Sequence, residues 1–89
     1  MGSASIAETG LARAVARFPE AAPALRRLAL TEPGFRDICE EYALAQQSLA
    51  GFEARPDAAE RPEIGDYRTL IAELEMEIDR FLTKAGRNS

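Results

Sequence analysis

The sequences FRDICEEYALAQQSLAGF at residues 35–52 and YRTLIAELEMEIDRFLTKA at residues 67–85 decide the fold. In the first stretch, apolar side chains recur every seven residues in two series: Phe35, Tyr42 and Leu49, and Ile38, Ala45 and Phe52. In the second, with residue 64 included, the two series are Ile64, Ile71, Ile78 and Ala85, and Tyr67, Leu74 and Phe81. Such repeats predict two amphipathic helices that pack along a common seam.

Prolines bound the first of these helices. Thr31 is a favourable residue for capping a helix, and Pro33 is tolerated in a first helical turn, so the helix is predicted over residues 32–54. It is expected to stop at Arg55, because the residue before a proline is disfavoured in helical geometry and Pro56 follows.

The second long helix is predicted over residues 63–85, with Gly86 available to close it. The two helices have similar lengths and are joined by a short polar linker at residues 55–62. Similar lengths and a short linker favour an antiparallel helical hairpin of the coiled-coil type, in an all-α protein.

The rest of the chain is predicted to add one or two short helices within residues 9–30, interrupted near Pro19 and Pro23. Residues 1–8 are expected to be disordered, and residues 87–89 are expected to form a tail. Residues 9–86 are then one helical domain.

Nine seam side chains are predicted to form the helix–helix interface. They are Phe35, Ile38, Tyr42, Leu49, Phe52, Ile71, Leu74, Ile78 and Phe81. Further apolar residues lie beside the seam at Cys39, Leu44, Leu70 and Leu82. A two-helix seam needs only a narrow stripe, so the wider face predicts a third packing body. That body is either the N-terminal segment folded back or a second copy of the chain that completes a four-helix bundle.

Length and charge restrict the partners. The chain has 89 residues, which is enough for one small domain. Residues 1–30 carry four arginines against two glutamates, whereas residues 31–89 carry seven lysines or arginines against thirteen acids. A mainly acidic chain argues against a nucleic-acid partner. The sequence has a single cysteine and no continuous apolar run of about 20 residues, so we expect no membrane span and a cytoplasmic location.

The residue types that most catalytic and metal sites need are missing. Without histidine, a serine or cysteine nucleophile lacks its usual base, and zinc or di-iron sites lack their usual ligands. Cys39 lies among seam residues, and we interpret it as a buried thiol. An acidic run occupies Glu73, Glu75, Glu77 and Asp79. We interpret it as a solvated helix face, because cation sites built from carboxylates alone need more oxygen ligands.

We therefore assign no catalytic, cofactor-binding or metal-binding residue, and expect no cofactor, no small-molecule substrate and no enzyme activity. Four arginines in the N-terminal segment remain to be explained: Arg13, Arg17, Arg26 and Arg27. One interpretation is a peripheral surface for nucleic acid or an anionic membrane. We favour pairing with the acidic hairpin of the same chain, which is the nearest counter-charge.

Short landmarks recur in a characteristic order along the chain. They are Phe18-Pro19-Glu20, Leu25 with Leu28, Phe35 with Ile38 and Glu40-Glu41-Tyr42, and the run from Leu74 to Leu82. In this order they resemble the YdcH-like family of short bacterial proteins, over residues 11–82. The resemblance implies a helical hairpin without an established activity, and it carries over no catalytic or binding residue.

These patterns predict a non-enzymatic protein that acts through helix–helix contacts. Its partner is expected to be a second copy of the chain, which gives a homo-oligomer, or another helical protein for which the chain is an adaptor.

Overall fold

The computed structural model describes residues 5–87, and most of these residues are helical. Its four α-helices are α1 (Ile6–Arg17), α2 (Ala22–Thr31), α3 (Pro33–Glu53) and α4 (Glu63–Arg87). Two single turns of 3-10 helix occupy Pro19–Ala21 and Ala58–Glu60. The described residues include no strand, so the predicted all-α class is confirmed.

Helix α1 begins earlier than predicted because Ser5 caps it. The Ser5 hydroxyl accepts a hydrogen bond from the Glu8 backbone N–H at 3.1 Å, and the Glu8 carboxylate accepts one from the Ser5 N–H at 3.3 Å. This reciprocal pair satisfies two backbone donors that the first turn leaves free. Residues 5–8 are therefore ordered, which corrects the predicted disorder of residues 1–8 in that part. Residues 1–4 lie outside the described residues.

A single residue, Glu32, separates α2 from α3. Its backbone is extended, with φ −120° and ψ 102°, as expected for a residue that precedes a proline. Pro33 occupies the start of α3, as predicted. The prediction that Thr31 caps α3 is wrong, because Thr31 belongs to α2 and its hydroxyl donates to the Arg27 carbonyl at 3.0 Å.

The link between α3 and α4 is organised by Asp57, whose two carboxylate oxygens accept hydrogen bonds of 3.0 Å from Arg55 and Arg61. Helix α4 continues through Gly86 to Arg87, beyond the predicted end at residue 85. No described glycine has a positive φ, so the prediction that Gly86 closes the helix is wrong. Residues 88 and 89 of the predicted tail lie outside the described residues.

Helices α3 and α4 contact each other along much of their length. Phe52 stacks on Tyr67 with ring centroids 5.7 Å apart, and the Phe35 ring meets the edge of Phe81 at 5.3 Å. Residues late in α3 therefore meet residues early in α4, and residues early in α3 meet residues late in α4.

The N-terminal segment covers one side of this helix pair. Ala14, Leu25 and Leu28 join the same buried cluster as Phe35 and Leu74. Of the apolar residues beside the seam, Cys39 is buried and Leu82 packs against the cluster. Leu44 and Leu70 stay 51% and 39% exposed, so the folded-back segment covers only part of the widened apolar face.

Helix α1 approaches α3 very closely, and Gly10 is the residue that permits it. A Cβ added at Gly10 would lie 3.0 Å from the Cys39 Cα and closer still to its carbonyl carbon and oxygen. Ala7 and Ala14, one helical turn away on either side, are buried as well. This face of small residues lets the two helix backbones come together.

Candidate functional site

Eight of the nine predicted interface residues have packing contacts within the chain. Phe35, Tyr42, Leu74 and Ile78 are buried in the central cluster. Ile38, Ile71 and Phe81 are partly buried and pack against that cluster. Leu49 and Phe52 are partly buried nearer the α3–α4 link. Most of this seam is therefore occupied by contacts within the chain.

A polar cluster of Arg17, Tyr42 and Glu75 joins three helices. The Tyr42 hydroxyl donates to Glu75 Oε2 at 2.8 Å, and Arg17 Nε lies 3.4 Å from Glu75 Oε1. Burial raises the pKa of the Tyr42 hydroxyl, and the hydrogen bond to Glu75 and its negative charge raise it further, whereas Arg17 and Gln46 lower it. Tyr42 therefore stays a protonated donor at neutral pH, and the cluster links α1, α3 and α4 structurally.

Glu75 corrects the interpretation of the acidic run. This side chain was predicted to be part of a solvated face, but it is partly buried and accepts a hydrogen bond from the Tyr42 hydroxyl. One signal was present in the sequence, because a tyrosine at a buried seam position usually needs a polar partner for its hydroxyl. Within residues 5–87, no three carboxylate or cysteine groups come together in a way that could hold a metal ion.

The four N-terminal arginines have different surroundings. Arg17 pairs with an acid of α4, so the favoured interpretation is confirmed for this residue. Arg13 instead donates to the Gln46 side chain at 2.8 Å. Arg26 and Arg27 are exposed and form no ion pair with any described residue, so the interpretation is wrong for these two.

Cys39 is a buried thiol, as predicted. Burial raises its pKa from 9.0 to about 11, although the nearby Arg36 charge acts in the opposite direction. The cavity beside it, lined also by Ala7 and Leu11, measures about 40 Å³, which is room for little more than water. Burial outweighs the Arg36 charge, so this position disfavours a reactive thiolate.

A surface groove lies between α2 and the C-terminal end of α4 and has a volume of about 490 Å³. We call it the α2–α4 groove. Its floor is apolar and is formed by Leu28, Phe81, Leu82 and Ala85. Its rim is exposed and polar, with Arg27, Thr31, Glu32 and Lys84. Sequence reasoning missed this groove, because it exists only when α2 packs beside α4.

Two cations without a partner line the α2–α4 groove. Among the basic side chains of residues 5–86, those with neither an ion pair nor a hydrogen bond are Arg26, Arg27, Arg36 and Lys84. Arg27 and Lys84 line the groove from its two helices, and Arg26 adjoins Arg27 on α2. The groove therefore combines an apolar floor with a predominantly positive rim.

No family model, curated protein or solved structure matches the chain. The resemblance to the YdcH-like family stays a prediction. Among residues 5–87, no helix has both the length and the hydropathy that crossing a membrane requires.

Proposed function

We propose that the protein is a non-enzymatic adaptor that acts through helix–helix contact in the cytoplasm. Helices α3 and α4 form the hairpin that carries the fold, α1 and α2 brace it, and the α2–α4 groove receives the partner helix. The observation that carries the proposal is the groove itself, an apolar depression bordered by exposed polar side chains. Amphipathic helices bind to grooves of this kind through their apolar face.

The dimensions of the groove suit a short helical segment. Along α2 it extends from Ala24 to Thr31, which at 1.5 Å per residue is roughly 10 Å, or two helical turns. The floor lies between two helices, so a third helix can rest against both. Many of its lining residues are exposed, which describes an open groove and not a closed pocket that surrounds a small molecule.

An adaptor role is favoured over self-association by the charges of the rim. A two-fold dimer would place the same surface of two copies face to face. Arg27 and Lys84 of one copy would then approach the same cations of the other, and like charges repel.

A titration followed by nuclear magnetic resonance tests the proposal. The probe is a designed amphipathic helix with a leucine stripe, otherwise neutral side chains and about 16 residues, long enough for measurable helicity. Backbone amide shifts are expected to concentrate at residues 24–32 and 81–86. Ala24→Gln and Ala85→Gln each place a longer side chain in the groove and should weaken binding.

Leu44→Gln is the matched control, because Leu44 is exposed on α3 and does not line the groove. It should bind the peptide as the wild type does. Far-ultraviolet circular dichroism establishes that each variant is folded. Absence of binding, or equal binding by the groove variants and the wild type, would refute the proposed docking surface.

A second candidate is peripheral binding to nucleic acid or an anionic membrane, which the exposed Arg26 and Arg27 favour. It is the weaker candidate because Arg13 and Arg17 are held by Gln46 and Glu75. Few cations then remain to release counterions from a phosphate backbone. Salt-sensitive binding to duplex DNA or anionic vesicles, lost in an Arg26→Gln/Arg27→Gln variant, would reverse this order.

A further inference from the structure

We propose that the natural occupant of the α2–α4 groove is an acidic amphipathic helix of a partner protein, with carboxylates flanking its apolar stripe. This inference rests on the proposed function and adds the chemistry of the partner. It combines two observations, the apolar floor of the groove and the unpaired cations at its rim.

The charge at the groove is opposite to that of the whole protein. The chain has a formal net charge of −4, yet the rim carries Arg27 on α2 and Lys84 on α4 against the single acid Glu32. Elsewhere in residues 5–86, five cations are paired with acids of the same chain, among them Arg68 with Glu53 and Arg61 with Asp57, whereas Arg36 is unpaired away from the groove. The groove is therefore a place where the chain presents positive charge that it has not neutralised itself.

The two cations suit a helix better than a flat anionic surface. They belong to different helices with the apolar floor between them, so a ligand must bring carboxylates and apolar side chains together. An amphipathic helix presents acids on either side of its apolar stripe, because residues three or four apart share a face. Ion pairs at an exposed rim add modest affinity and mainly select the partner.

The experiment compares three designed helices with the same leucine stripe and acidic, neutral or basic flanking residues. Affinities for the full chain are measured by isothermal titration calorimetry. The acidic helix is expected to bind most tightly and the basic helix least tightly. Raising the salt concentration from about 0.01 M to about 1 M shortens the screening length from roughly 30 Å to roughly 3 Å and should bring the three affinities together.

Substitutions at the groove rim test whether its cations cause the preference for the acidic helix. In an Arg27→Gln/Lys84→Gln variant, affinity for the acidic helix should fall by about threefold to tenfold at low salt, whereas affinity for the neutral helix should hold. Arg36→Gln is the matched control, since Arg36 is also unpaired but does not line the groove. It should change the affinity for the acidic helix by less than about twofold.

The outcomes separate the inference from the proposed function. Equal affinities for the three helices, with binding still lost in Ala85→Gln, would overturn the acidic partner and leave the groove as a helix site. Failure of all three to bind would overturn both. If sedimentation equilibrium shows a dimer that Ala85→Gln dissociates, the occupant of the groove is a second copy of the chain. If the chain binds anionic vesicles more tightly than the acidic helix, the groove binds a membrane surface. Either result overturns the inference.

Discussion

Replacing Gly10 by alanine should destabilise the protein, although alanine is the better helix former. The new Cβ would lie 3.0 Å from the Cys39 Cα and closer still to the carbonyl carbon and oxygen, whereas ordinary contacts begin at 3.4 Å. All three neighbouring atoms belong to the backbone, so no side-chain rotation can make room. Helix α1 would have to move away from α3, which loosens the contacts around the buried Ala7 and Ala14.

The magnitude follows from two opposing effects. Alanine in place of glycine inside a helix contributes about 1 kcal/mol of stability. Overpacking costs about 1–3 kcal/mol, and the upper end applies here because backbone atoms cannot yield. The net loss is then about 2 kcal/mol, which for a domain of this size lowers the melting temperature by roughly 8–16 °C.

Urea unfolding followed by far-ultraviolet circular dichroism measures the effect. Gly51→Ala is the matched control, because Gly51 also lies within a helix but a Cβ there has no atom within 4 Å. It should stabilise the protein by about 0.5–1 kcal/mol. The two substitutions are thus expected to have opposite signs. If Gly10→Ala stabilises the protein as Gly51→Ala does, the close approach of α1 to α3 is refuted.

Three further predictions concern the core and the polar cluster. Leu74→Ala should lower the free energy of unfolding in urea by about 2–5 kcal/mol because Leu74 is buried. Leu44→Ala, at an exposed position, should lower it by no more than about 0.5 kcal/mol. Equal losses would contradict the described packing. Tyr42→Phe removes the donor to Glu75 and should cost about 1–2 kcal/mol in the same assay, against almost nothing for Tyr67→Phe, whose hydroxyl has no hydrogen bond to a described residue. Burial raises the pKa of Cys39 from 9.0 to about 11, so the unfolded chain loses that proton first and stability should fall as pH rises through this interval. Cys39→Ala should make this decline shallower. An unchanged slope of stability against pH would show that Cys39 is not the group responsible.

The long helices could be predicted from the sequence because local signals determine them. The seven-residue repeats identify the buried faces, and Pro33 and Pro56 bound α3 within about one residue of the predicted limits. The start of α1 was missed by three residues, although Ser5 and Glu8 have the spacing of a capping box.

The features that depend on tertiary contact could not be predicted in this way. Glu75 lies next to a seam residue, and on an isolated pair of helices it would be solvated. The position of α1 brings Arg17 to it. Gly10 looks like any helical glycine until α3 is placed against it. The α2–α4 groove likewise joins two segments that lie about fifty positions apart in the sequence, so no local pattern indicates it.

The extended residue Glu32 has a consequence for how this protein could change during evolution. If the corner before Pro33 were straightened, α2 and α3 would become one rod over residues 22–53, roughly 48 Å long. Straightening of such a corner is the geometry by which two chains exchange their terminal elements. Pro33 keeps the corner bent, so replacing this one proline would open a route from the fold described here, in which α2 lies beside α4 of the same chain, to an intertwined dimer.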